Sequence, residues 1–95
     1  VMTEFGRTNA ENGNRGTDHG HGGLMLAIGG KVRGGRVMGE WTTLAPGRTY
    51  QNRDLEVTTD FRTVMSDVAH GFLKLHPERG LFPKFEGPRS LGLFR

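Results

Sequence analysis

The apolar positions of this chain fall into two characters, a glycine-rich front half that reads as strands and loops, and a later half that carries one helix and an extended tail. Val1 to Phe5 reads as the end of a buried strand entering a loop. Gly6 to Gly22 has no hydrophobic period and reads as a 17-residue loop, a length usually reserved for functional or disordered segments. Leu24-Met25-Leu26-Ala27-Ile28 is a continuous apolar run between glycines, which suits a strand buried on both faces in a parallel sheet. Between Lys31 and Trp41, Val32 and Val37 flank Gly34-Gly35, a pattern that predicts a small Gly-Gly hairpin. Residues 42–56 read as loop, with a short strand around Leu55 to Val57.

The firmest element is the helix. Thr58, Thr59 and Asp60 offer oxygens to the unpaired N–H groups of a first turn. Phe61, Val64, Met65, Val68, Phe72 and Leu75 follow at helical spacing and make one apolar stripe, with Ala69 on the same face. Gly71 interrupts this helix at modest cost, and Pro77 ends it. The segments Leu81 to Phe85 and Leu91 to Phe94 are apolar but too rich in proline and glycine for helix, so they are expected to lie across a surface. Trp41 reads as a packing residue.

Composition changes this picture in one respect. With 95 residues, 34% apolar positions, 16 glycines and no cysteine, the core must be thin, and neither disulfides nor thiolate metal sites can compensate. The chain begins with Val1 in what reads as mid-strand. The expectation is therefore a partial domain over 1–95, the C-terminal portion of a larger α/β domain that does not fold stably without the rest of its own chain. The net charge of +3 comes from dispersed Lys and Arg, densest only at Lys31, Arg33 and Arg36. Nucleic-acid binding needs a concentrated basic stripe and is not expected. No apolar run is long enough to span a membrane.

Candidate chemistry is concentrated near the front. In Thr17-Asp18-His19-Gly20-His21-Gly22, residues two apart on extended backbone project to the same side, so His19 and His21 can reach a common point. Imidazole is a strong ligand for zinc and other divalent metals, and Asp18 is a carboxylate able to ligate or to orient. The competing reading is two surface histidines in a mobile loop. Glu4 sits at a strand end, where it can ligate a metal through oxygen, and Arg7 can clamp an anion such as phosphate or sulfate. Equally, Glu4 and Arg7 can form a strand-end ion pair. His70 and His76 read as ordinary surface groups, and no nucleophile can be named.

Several motifs in order resemble one bacterial family. They are Thr3 to Thr8, Glu11-Asn12-Gly13, Gly16 to Gly22, Ala27 to Gly30, Val32 to Gly35, Gly39-Glu40-Trp41 and Val57 to Arg62. The family is the domain-of-unknown-function family 1501, similar at a distance to alkaline phosphatases and sulfatases, and the match is to its C-terminal end. This resemblance implies an alkaline-phosphatase-like sandwich with a mostly parallel sheet and metal ligands on loops beyond its strands. It places His19 or His21 where a late metal ligand stands and implies an exported, periplasmic protein. Where relatives of the superfamily carry an Asp-His pair, this chain reads Glu4-Phe5. The implied function is a metal-dependent hydrolase of small phosphate or sulfate esters. The alternative is a non-catalytic exported binding or structural protein that keeps the fold.

Overall fold

The computed structural model describes residues 1–76, 80–86 and 90–95. It is a small mixed α/β structure with a two-stranded antiparallel sheet and one helix. The chain divides into two compact units, one of Val1–Leu26 and Gly39–Thr58, the other of Ala27–Met38 and Thr59–Arg95.

The first unit is built on a hairpin where the sequence suggested an unstructured loop. Strand β1 (Gly6–Arg7) pairs antiparallel with β2 (His19–Gly20), with Gly6 opposite Gly20 and Arg7 opposite His19. Asn12 organises the intervening turn, since its Oδ1 accepts the backbone N–H groups of Asn14 (2.9 Å) and Gly16 (3.0 Å). Such side-chain caps replace the ladder bonds that a polar, aperiodic segment lacks. Thr8 closes the hairpin by donating its N–H to the Asp18 carbonyl at 3.1 Å, and then bridges Asp54 in antiparallel fashion. Asp54 also bridges Tyr50 across a tight turn, in which Gln51 (φ 51°) and Asn52 (φ 55°) are both left-handed. That conformation suits the right-handed twist of the flanking backbone, and asparagine tolerates it well.

Leu24 to Ile28 does not form the buried parallel strand expected of it. Every pairing among the described residues is antiparallel, and Leu24, Leu26 and Ile28 are 67%, 52% and 86% exposed. Within the run, Leu26 exchanges two backbone bonds with Val1, at 2.6 and 2.8 Å. A strand that is apolar on both faces needs a layer on each side, and no described residue supplies those layers. Trp41, expected to pack, is exposed as well.

In the second unit the Gly-Gly hairpin is replaced by a longer-range pairing. Val32 bridges Phe94 rather than Val37, and the Arg33 N–H donates to the Leu93 carbonyl at 2.8 Å. Arg33 and Arg36 add side-chain bonds to the Phe94 and Gly92 carbonyls, at 2.9 and 2.8 Å. A hairpin needs cross-strand side chains beside its turn, and Val37, fully exposed, supplies none. The apolar tail offers Val32 a better partner.

Helix α1 (Phe61–Asp67) starts where the sequence places its cap. The Asp60 side chain accepts the Arg62 N–H at 2.9 Å and pairs with the Arg62 guanidinium at 2.6 Å. The helix then widens into a π-helical stretch, Val68–Phe72, and the chain reverses at Lys74, whose φ is 57°. The predicted end at Pro77 lies outside the described residues. The buried face also differs from the apolar stripe: Thr63, Ser66, Asp67 and Ala69 are buried, whereas Phe61, Phe72 and Leu75 are exposed. Thr63, Asp67 and Gly71 form an i, i+4 row of small or polar groups on which the tail lies. Asp67 accepts the Leu93 N–H at 2.9 Å, and the Phe94 ring stands 3.2 Å from where a Cβ at Gly71 would be. Gly71 is thus the close-approach point of the tail, not merely an interruption.

The Asp60 cap makes the start of α1 sensitive to acid. Hydrogen bonds from the Arg62 side chain, and then from its N–H, hold the Asp60 carboxyl below the usual range. A carboxyl lowered on folding contributes stability that is complete above its unfolded pKa and is lost as pH falls through the lower, folded value. Acidification below the ordinary aspartate range should therefore fray residues 61–63 before the rest of the helix. Amide shifts of Arg62 and Thr63 measured against pH, with Asp60→Ala lacking the transition, check this. A pH response unchanged in Asp60→Ala would count against the cap.

Candidate functional site

The register of β1 and β2 decides which of the candidate side chains meet. Directly opposed residues of an antiparallel pair share a face, and alternate residues along a strand return to it. Arg7 stands opposite His19. Phe5, just before β1, and Thr17, two residues before β2, lie against that pair, whereas His21 follows β2 at a bend. The contacts agree with this assignment. The rings of Phe5 and His19 lie 5.0 Å apart, and the Arg7 Nε donates to Thr17 Oγ1 at 2.8 Å while an Nη donates to the Thr17 carbonyl. His21 stacks on Tyr50, with centroids 4.1 Å apart and planes 16° from parallel.

The opposite face is backbone packed on backbone. A Cβ at Gly6 would lie 2.1 Å from the Gly22 carbonyl oxygen, and one at Gly20 would lie 2.5 Å from the Arg7 carbonyl. Gly22 in turn admits the Leu55 carbonyl, 2.5 Å from where its Cβ would be. The glycines around His19 and His21 therefore let three segments close directly on one another, which holds the imidazole-bearing backbone in place.

Arg7, His19 and His21 are exposed, so this face is open to a ligand. Thr17 engages two of the donor groups on Arg7, leaving others of its planar fork available. Asp18 is turned instead to Asn12, whose Nδ2 donates to its Oδ1 at 3.0 Å. Glu4 lies exposed, two residues before β1. Among the described residues, no three His, Asp or Glu side chains stand close enough together to hold a metal ion. A catalytic zinc takes three protein ligands and one open position. The two imidazoles do not complete such a set, so these residues do not fit a whole metal centre by themselves.

The order and spacing of these segments have a counterpart among known families. A family model described as "Protein of unknown function (DUF1501)" matches residues 1–75. The chain belongs to this family. The DUF1501 match spans the hairpin, the Thr49 to Asp54 turn and the helix, so it includes Glu4, Arg7, Asp18, His19 and His21. No curated protein matches the chain, and no solved structure does.

Two residues around these side chains had no role assigned from the sequence. Thr17 shares the odd-numbered alternation of His19 and His21, a signal that was present. Tyr50 is distant in sequence, and nothing local announces that it stacks on His21. No helix among the described residues is long and apolar enough to cross a membrane.

Proposed function

We propose that the Arg7–His19–His21 face receives the anionic group of a small phosphate or sulfate ester. On this reading the chain is the C-terminal portion of a metal-dependent ester hydrolase with an alkaline-phosphatase-like sandwich. The observation that supports the reading is the register that sets Arg7 opposite His19, with the exposed His21 two residues further on. Arg7 presents a planar fork suited to phosphate and sulfate oxygens, and Thr17 holds it in one orientation before any ligand arrives. His19 and His21 would serve as late ligands of a divalent metal such as zinc, with Asp18 and Glu4 as the nearest carboxylates in sequence. The remaining ligands and the nucleophile would come from the rest of its own chain, which would also cover the exposed Leu24 to Ile28.

A second reading has an observation in its favour. Because the described residues assemble no three-ligand group, a non-catalytic exported protein that binds anions or has a structural role, and keeps the fold, is the alternative. The two readings separate on turnover. In the intact protein, Arg7→Ala should weaken binding of inorganic phosphate or sulfate by about tenfold, the scale of one charge-assisted hydrogen bond, as measured by calorimetry. His19→Ala/His21→Ala should lower bound metal in elemental analysis. Hydrolysis of aryl phosphates or sulfates supports the enzyme. Anion binding without turnover at any divalent metal supports the alternative. Affinity unchanged in Arg7→Ala would remove the anion face altogether.

A further inference from the structure

His70 and His76 are six residues apart in sequence, a spacing that puts them on different sides of an ideal α-helix. The structure nevertheless brings their rings together, with centroids 5.5 Å apart and planes 13° from parallel. The backbone does this in two steps. The π-helical stretch Val68–Phe72 widens the last turn, with the Leu73 N–H reaching the Val68 carbonyl at 3.0 Å. Lys74 then turns left-handed, and the Leu75 N–H returns to the Ala69 carbonyl at 2.9 Å. Ala69 and Leu75 are the chain neighbours of His70 and His76, so that bond ties the two histidines to each other through the main chain. The Lys74 ammonium adds a bond to the Gly71 carbonyl at 2.8 Å and secures the same reversal. Local π-turns of this kind recur at functional positions.

We propose that His70 and His76 form a two-imidazole site for a divalent transition metal of the zinc, nickel or copper class. It draws on no residue of the Arg7–His19–His21 face and does not depend on the function proposed for that face. The spacing suits this chemistry. Two imidazoles bound through nitrogen at about 2.0–2.1 Å to one tetrahedral ion have centroids roughly 5–5.5 Å apart. Binding requires the two nearly parallel rings to turn about their side-chain torsions toward one ion, from main-chain positions that the Leu75–Ala69 bond holds close. His76 is exposed and His70 half-buried, so water completes the coordination. Imidazole selects zinc, nickel and copper over magnesium and calcium, which prefer oxygen.

The test is calorimetric titration of the intact protein with Zn²⁺ in a His19→Ala/His21→Ala background, which removes the other imidazole pair. One saturable Zn²⁺ is expected to remain, with His70→Ala and His76→Ala each weakening it by at least about tenfold. Nuclear magnetic resonance gives an independent reading in the protein with both histidines intact: the ring signals of His70 and His76 should move together at one equivalent. Both side chains reach solvent, and circular dichroism verifies that each variant stays folded. Absence of saturable Zn²⁺ binding in that background, or equal affinity in the His70→Ala and His76→Ala variants, overturns the proposal.

Discussion

Gly6→Ala should disrupt the β1–β2 hairpin and destabilise its unit by about 3 kcal/mol, the upper end of the usual cost of overpacking. The added methyl would meet the Gly22 carbonyl oxygen at 2.1 Å, the Gly22 carbonyl carbon at 2.7 Å and the Gly20 oxygen at 2.9 Å. All three are backbone atoms, so no rotamer change relieves the clash. Either the Gly20–Gly22 segment moves away or the hairpin opens, and both outcomes disturb the pairing of His19 with Arg7 and the stacking of His21 on Tyr50. Gly13→Ala is the control, because a Cβ there has nothing within 4 Å. Urea unfolding of the two variants should show a lower midpoint for Gly6→Ala alone, at unchanged slope. Equal midpoints would mean that the close approach at Gly6 is not a constraint on the folded chain.

Arg53→Ala should also be costly, although it removes a side chain that is largely in solvent. Its guanidinium donates to both Asp54 carboxylate oxygens, at 3.0 and 3.3 Å. Asp54 is only 2% exposed, and its backbone bridges both Thr8 and Tyr50, so it stands where the hairpin meets the Thr49 to Asp54 turn. Taking away one partner of a buried ion pair typically costs about 3–5 kcal/mol, because the remaining charge stays desolvated. The Arg53 side chain is 61% exposed, so water screens that end and the expected loss is about 1–2 kcal/mol, between the exposed and buried cases. Replacing Asp54 as well, in Arg53→Ala/Asp54→Asn, should recover part of the loss, since no buried charge is then left alone. A double-mutant cycle in denaturant measures this coupling. Strict additivity of the two substitutions would show that the pair contributes nothing as a pair.

What the sequence determined by itself concerns interactions between near neighbours. Asp60 caps α1 because an N-cap bond spans only two or three residues, and the groups that make it are adjacent in the chain. The DUF1501 family is recognisable from motifs that persist in order along the chain. The choice of non-local partners was left to the tertiary structure. The apolar run Leu24 to Ile28 announces a demand for burial but not what meets it, and among the described residues that demand goes unmet. Gly34-Gly35 is compatible with a hairpin, yet Val32 pairs with Phe94, because the distant tail supplies the backbone bonds that the Val37 segment does not. The helix stripe predicted an apolar buried face, and the tail instead packs on Thr63, Asp67 and Gly71, where small groups permit close approach. Tyr50 on His21 and His70 against His76 follow from a left-handed turn and a widened helical turn. Capping acts over a few residues and can be read along the chain. Ladder partners, close backbone approaches and ring stacking depend on which distant segments close on one another, and that choice is made by the packing of the whole unit.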